Sequence, residues 1–200
     1  MPDPPLFRAP YYPAKVCWSR ADEFREEFWP SGDYPIDVLA IAEFGLGLEM
    51  RVVDNLLNDL GVDALLGIDF NTLAVDRDQY MQGRFHGRMR YSVAHEIGHY
   101  VLHRELAEQF PKDEKKLREF YSEIPEREYS FLEYHANEFA GALLVPRNEL
   151  SSRLALYVDS SKPIEEGILV EAVDALAGHF AVSTTVIEIR LIKEKLIGSS

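Results

Sequence analysis

Cys17 is the only cysteine in this sequence. One thiol can form no internal disulfide and no cysteine-rich zinc site, a pattern that fits a reducing cytoplasm. Cys17 itself reads as a packing residue rather than a reactive thiol. Long apolar runs are also missing, and none approaches the length that spans a bilayer. The opening Met1-Pro2-Asp3-Pro4-Pro5 has neither a basic segment nor a continuous apolar one, so it does not read as a secretory leader. Basic charge is scarce: 21 Lys and Arg face 34 Asp and Glu, a net charge of −13. Such a surface repels phosphate backbones and anionic membranes, so no direct nucleic-acid partner and no membrane are expected. The expectation is a soluble, cytoplasmic protein. Its 200 residues, 46% hydrophobic and 28% charged, suffice for one compact domain with a small appendage.

The chain divides by composition into three parts. Residues 1–34 form a proline-rich arm, with five prolines before residue 15, and a short helix over Arg20–Phe28. Residues 35–160 form the core, and 161–200 a C-terminal helical pair. In the core, Pro35–Phe44 reads as a helix, from Pro35 in the first turn and the spacing of Ile36, Leu39, Ala40 and Phe44. Leu48–Val53, Leu65–Phe70 and Thr72–Asp76 read as strands, with a turn-rich Asp54–Gly61 between the first two. Gly83 and Gly87 mark a loop. Helices are predicted over about 90–106 and 129–144, separated by a charged, solvated stretch, and again over about 168–181 and 183–196. The fold class is α+β: mostly helical, with a small antiparallel three-stranded sheet. No internal repeat is present.

The most informative stretch is His95-Glu96-Ile97-Gly98-His99. On a helix, positions i and i+4 lie on one face, so both imidazoles can reach one tetrahedral metal. Glu96 then stands close enough to act on a water there. One zinc ion with an open position is the natural occupant. Two histidines need a third protein ligand. A further histidine in the H-E-x-x-H-x-x-G-x-x-H pattern is absent, because Leu102 and Glu105 occupy the required positions. His86, His103, His135, His179 and a later carboxylate remain. Glu133 fits well: on a helix it shares a face with Asn137 and Ala140, near the small residues Ala136 and Gly141. Gly98 suggests close approach of a neighbour, since a mid-helix glycine costs about 1 kcal/mol relative to alanine. Glu138 is the rival ligand but points about 100° from Asn137. Asn137 could hold the free ring nitrogen of a ligand histidine. His103, one turn beyond His99, reads as support behind a ligand or as core packing. His135, His86 and His179 read as off the metal.

These residues resemble the ImmA/IrrE metallopeptidase family in three places. Arg88 to His103 is similar to its R-x-R-[FY]-[ST]-x-A-H-E-[LI]-G-H-x-x-L-H helix. Glu133 to Pro146 is similar to its E-x-x-A-N-x-F-A-x-x-L-L-x-P helix. Leu176 to Ser183 resembles its L-A-x-x-F-x-V-S signature, with Arg190-Leu191 following. The similarity covers about residues 35–195. The resemblance implies a zincin-like, gluzincin-type fold, with His95, His99 and Glu133 on zinc and Glu96 as catalytic base. It also implies a protein substrate, a helix-turn-helix repressor or antitoxin-like regulator. Some members carry a separate sensor domain, which is not expected here because the sequence stops near residue 200.

The expected mechanism has zinc polarise the scissile carbonyl while Glu96 moves a proton from water to the leaving amine. The strand Thr72–Asp76 could hold substrate backbone by β-addition. Tyr91, Tyr100, Tyr134, Arg88 and His103 are all open as oxyanion donors. The C-terminal pair has helix-turn-helix spacing, but its second helix opens Ser183-Thr184-Thr185-Val186 and is rich in Ile and Leu, which favours core or protein contact over DNA. The competing reading is a zincin-shaped binding protein that inactivates a regulator without cutting it.

Overall fold

A computed structural model describes residues 7–81, 86–107, 111, 123–158 and 165–197. Gly83 and much of the charged stretch before residue 123 lie outside them. Helix α1 (Ala14–Phe28) starts directly after Pro13, earlier than the sequence suggested, and buries Cys17, Ala21 and Phe24 at helical spacing. Helix α2 is a single turn, Val38–Ala40, capped by the Asp37 carboxylate accepting from Ala40 N–H at 3.0 Å. It runs into a π-helical turn over Ile41–Gly45, so the continuous helix expected over 35–44 is replaced by two unlike turns.

The sheet corrects one expectation. Strands β1 (Glu49–Val53), β2 (Ala64–Leu66) and β3 (Thr72–Asp76) lie in the order β1-β3-β2. β2 and β3 pair antiparallel around the Asn71 turn, but β1 runs parallel to β3, so the sheet is mixed. The cause lies in the segment read as turns, which contains helix α3 (Leu56–Leu60). That helix carries the chain across the sheet, as a parallel connection requires. Asn55 and Gly61 bracket it at positive φ, 60° and 77°. Buried Asp76 holds the crossover, accepting from Leu57 N–H at 2.9 Å and from Gln79 N–H at 3.0 Å, the latter in helix α4 (Arg77–Met81).

Helices α5 (His86–Ala107) and α6 (Glu126–Leu144) cross at the centre. Gly87, expected in a loop, lies in the first turn of α5. One stripe of α5, with Met89, Val93, Ala94 and Ile97, is buried in the core. Helix α6 is buried on nearly all sides from Ala136 to Leu144, as befits a helix packed between α1 and α5. Val145-Pro146 ends it, and the unanticipated helix α7 (Arg147–Leu154) follows. Helices α8 (Glu166–Phe180) and α9 (Thr184–Lys193) meet at 107°, with Ala181 at positive φ and Ser183 capping Val186 N–H. Leu176, Phe180, Ile187 and Leu191 from this pair enter the same core as Val93, Ile97 and Phe139. Among the described residues, no single helix is long and apolar enough to cross a membrane.

Gly98 is where α5 and α6 approach most tightly among the glycines of the core. A Cβ there would stand 3.0 Å from both the Cα and the carbonyl oxygen of Ala136, and 3.3 Å from Phe139 Cβ. Backbone cannot step aside as a flexible side chain can. Gly98→Ala is therefore expected to destabilise by about 1–3 kcal/mol in urea unfolding, despite the better helix propensity of alanine. A neutral or stabilising result would contradict the contact. Cys17 is fully buried, and burial, followed by the charge of Glu138, raises its thiol to about 11. The expected outcome with an aromatic disulfide reagent at pH 8 is no reaction in the native chain and one thiol per chain after denaturation.

Candidate metal centre

Helix α5 has two working faces. Opposite its core stripe, Ser92, His95, Glu96, His99 and His103 line a cavity of about 590 Å³. Helix α6 closes one side with Glu133 and Asn137, and β2 with the loop to Phe70 closes the other.

His95 Nε2 and His99 Nε2 stand 3.1 Å apart, and each lies 3.3 Å from a different Glu133 oxygen, His95 from Oε2 and His99 from Oε1. Nitrogen and oxygen ligands about 2.0–2.1 Å from a tetrahedral metal are separated by about 3.3 Å, so the two imidazoles and the carboxylate between them are spaced to share one ion. Among the described residues, His95, His99 and Glu133 are the metal-binding-like group. Glu138, the rival, lies outside the cavity: its carboxylate accepts from Trp18 Nε1 at 2.8 Å and pairs with Lys193. Burial alone would raise the Glu133 carboxyl, but its bonds to His95 and His99 hold it well below the ordinary carboxylate range. Burial pulls the His95 imidazole down, and Glu133, Glu96 and Asn137 together outweigh it to leave a net rise.

The supporting contacts orient these ligands. Asn137 Oδ1 lies 3.2 Å from His95 Nδ1 and accepts from the Tyr91 hydroxyl at 3.3 Å, while Asn137 Nδ2 donates to the Glu133 carbonyl at 2.9 Å. With His95 Nδ1 carrying the proton, Nε2 is left bare for a metal. His103 stands behind His99, with 3.0 Å between their Nδ1 atoms, and its Nε2 lies 3.4 Å from His135 Nδ1. His135 is fully buried and accepts from Tyr12 N–H at 3.0 Å. Burial, with neighbouring His99 and His135, holds His103 far below the usual histidine range, so it is neutral at physiological pH. Sequence reasoning placed His135 off the metal but could not see this row, which joins residues far apart in the chain.

Glu96 faces the same cavity and accepts from Leu66 N–H at 2.8 Å. Burial raises its carboxyl above the ordinary range, against the opposing pull of His99 and His95. The strand expectation needs correction here. Thr72–Asp76 is the central strand, paired on both sides, so it offers no edge. β2 is the edge strand beside α5. Its pairing directs Leu65 toward β3, so the Ala64 and Leu66 backbone groups point away from β3, to the side where Leu66 meets Glu96. Of the five oxyanion possibilities, Tyr91 and His103 line the cavity. Both ring nitrogens of His103 are engaged, whereas Arg88 pairs with Asp63 at 2.7 Å and Tyr100 accepts from Arg104 at 2.6 Å. His179 lies elsewhere, 3.1 Å from Glu149.

The geometry predicts stoichiometric binding of a divalent metal ion, which Glu133→Ala abolishes. Asn137→Ala is expected to weaken that binding by about 10–100-fold, measured with zinc as the probe ion by competition with a chromophoric chelator. Unchanged affinity in Asn137→Ala would remove Asn137 from the site.

Comparison with known proteins agrees with this geometry. The profile of the peptidase M78 family, described as the IrrE N-terminal-like domain, matches residues 85–192. No curated protein matches in sequence. Among solved structures the chain is similar to a Mycobacterium tuberculosis transcriptional regulator, with a TM-score of 0.56 and 17% identity, over 90% of this chain and 47% of that one. The likeness is one of fold, and the chain spans about half the length of that regulator. The profile takes in both helices of the His-His-Glu cluster and more than half of the sequence, and so the chain belongs to the M78 peptidase family, with its IrrE N-terminal-like domain.

Proposed function

We propose that this protein is a zinc-dependent endopeptidase of a reducing cytoplasm, and that its substrate is a helix-turn-helix repressor or antitoxin-like regulator. The observation that carries the peptidase reading is the common cavity of the His95, His99 and Glu133 triangle and the Glu96 carboxylate. The substrate class rests on the family resemblance of the three sequence motifs. His95, His99 and Glu133 would hold the zinc, which when bound would supply Lewis acidity to a water and a scissile carbonyl.

The chain's own groups do the rest. Glu96, anchored by Leu66 N–H, takes the proton of the attacking water and returns it to the leaving amine. The Ala64 N–H and C=O and the Leu66 C=O of the β2 edge, beside the Leu66 N–H that anchors Glu96, hold an extended substrate by strand addition. Tyr91, which lines the cavity, serves a developing oxyanion by turning its hydroxyl proton from Asn137 Oδ1 toward the substrate.

Glu96→Gln separates catalysis from binding. The variant is expected to keep its zinc and to lose about 10²–10⁴-fold in cleavage of a helix-turn-helix regulator encoded beside this chain, read by fragment masses with and without chelator. Inactivation of the regulator that survives both chelator and Glu96→Gln would favour the non-cutting reading.

A further inference from the structure

The catalytic cavity has a neighbour. A second cavity of about 220 Å³ lies between α5, α6 and α9, and Tyr91 and Asn137 form part of the wall of both. The second cavity therefore adjoins the metal centre, with the Tyr91–Asn137 pair between them. Its apolar surface comes from Gly141, Val186 and Ile189. Ile189 is 45% exposed, so the cavity is reached from outside the core.

The polar groups of the wall are unevenly satisfied. Both Glu138 oxygens are engaged, one by Trp18 and one by Lys193. Arg190 is 3% exposed, donates through Nε to the Val145 carbonyl and pairs through Nη2 with Glu194. Its Nη1 is buried and has no hydrogen-bond partner, although the guanidinium lies 5.0 Å over the Trp18 ring. A ring face is a weak acceptor, and a buried donor left unmade costs about 1–3 kcal/mol, so this orphan calls for an explanation. Lys193 is 41% exposed and keeps ammonium protons beyond its bond to Glu138. The wall thus has donors to spare and no spare acceptor among these charged groups.

We propose that this second cavity is a side-chain subsite of the catalytic cleft, taking a substrate side chain with an aliphatic stem and a terminal carboxylate or carboxamide oxygen. Val186, Ile189 and Gly141 pack the stem, Lys193 meets the oxygen from the exposed side, and Arg190 Nη1, covered while the cavity is empty, reaches it when the guanidinium turns from the Trp18 ring. Gly141 keeps the floor open: a Cβ there would stand 3.2 Å from Arg190 Cδ. Glutamate and glutamine are the amino acids that carry this combination. The inference rests on the peptidase reading for the source of the occupant.

The test is a binding experiment in which no bond is cut. The zinc-loaded full chain with Glu96→Gln is titrated with capped pentapeptides Ala-Ala-Xaa-Ala-Ala, where Xaa is Gln, Glu, Leu or Lys. Methyl resonances of Val186 and Ile189 report the cavity. The Gln or Glu peptide is expected to shift both and to bind at least about fivefold tighter than the Leu peptide, and Ile189→Trp, which fills the cavity, is expected to erase that advantage. Preference for Glu over Gln identifies the carboxylate, and the reverse identifies the carboxamide. Equal or tighter binding of Leu or Lys, or shifts that bypass Val186 and Ile189, would overturn the proposal. Absence of cleavage by the unsubstituted chain is a separate result that fails the peptidase reading alone.

Discussion

The contact of Gly98 with the backbone of Ala136 is the constraint on which the rest depends. His95 and His99 belong to one helix and Glu133 to the other, so the triangle exists only while the two helices stay at that separation. A Cβ-sized gap would carry Glu133 out of reach of both imidazoles. The contact is also strongly apolar on its far side, where Val93, Ile97 and Phe139 share one core with α8 and α9. The C-terminal helices therefore serve as a buttress: they press α6 against α5 from behind. That role uses Ile187 and Leu191, the buried side of α9, and leaves Ile189 and Ile192 outward.

Two systems of buried polar groups flank this apolar core. One is the imidazole row running from the ligands through His103 and His135 to Tyr12 N–H. The other is the charge cluster of Glu138, Arg190, Lys193 and Glu194, tied to Trp18. Both tie α1, or the arm before it, to the far side of the centre. An isolated buried carboxylate or guanidinium would be costly, and pairing is what makes Glu138 and Arg190 tolerable so deep in the fold.

Much of the centre was legible in the sequence because helical spacing is a local property. His95, Glu96 and His99 declare a shared face within one turn, and Glu133, Asn137 and the small residues do the same in α6. Gly98 was readable for the same reason, as a glycine placed where helix propensity disfavours it. What could not be read depends on how distant segments meet. The parallel pairing of β1 with β3 follows from the crossover through α3, whose short Leu56–Leu60 pattern looks like a turn. The exchange of β3 for β2 as edge strand follows from the same crossover. Leu66 N–H carries no side-chain signal at all. Glu138 read only as a rival ligand, because its partners, Trp18 and Lys193, lie far from it in sequence.

The three-residue length of β2 has a consequence for what can be processed. A strand edge pairs only with extended backbone, and residues within a helix have already spent their N–H and C=O groups on one another. Under the proposed activity, a folded helical regulator becomes accessible only in the fraction of time during which a few residues come undone. Where such opening is fast, turnover follows the equilibrium population of the open form rather than the affinity of the closed one. Two regulators with identical residues around the scissile bond would then be cut at different rates, set by the local stability of the helix that contains it. Anything that loosens that helix, such as release from DNA or loss of a dimer partner, would act as the signal, with no change in the enzyme itself.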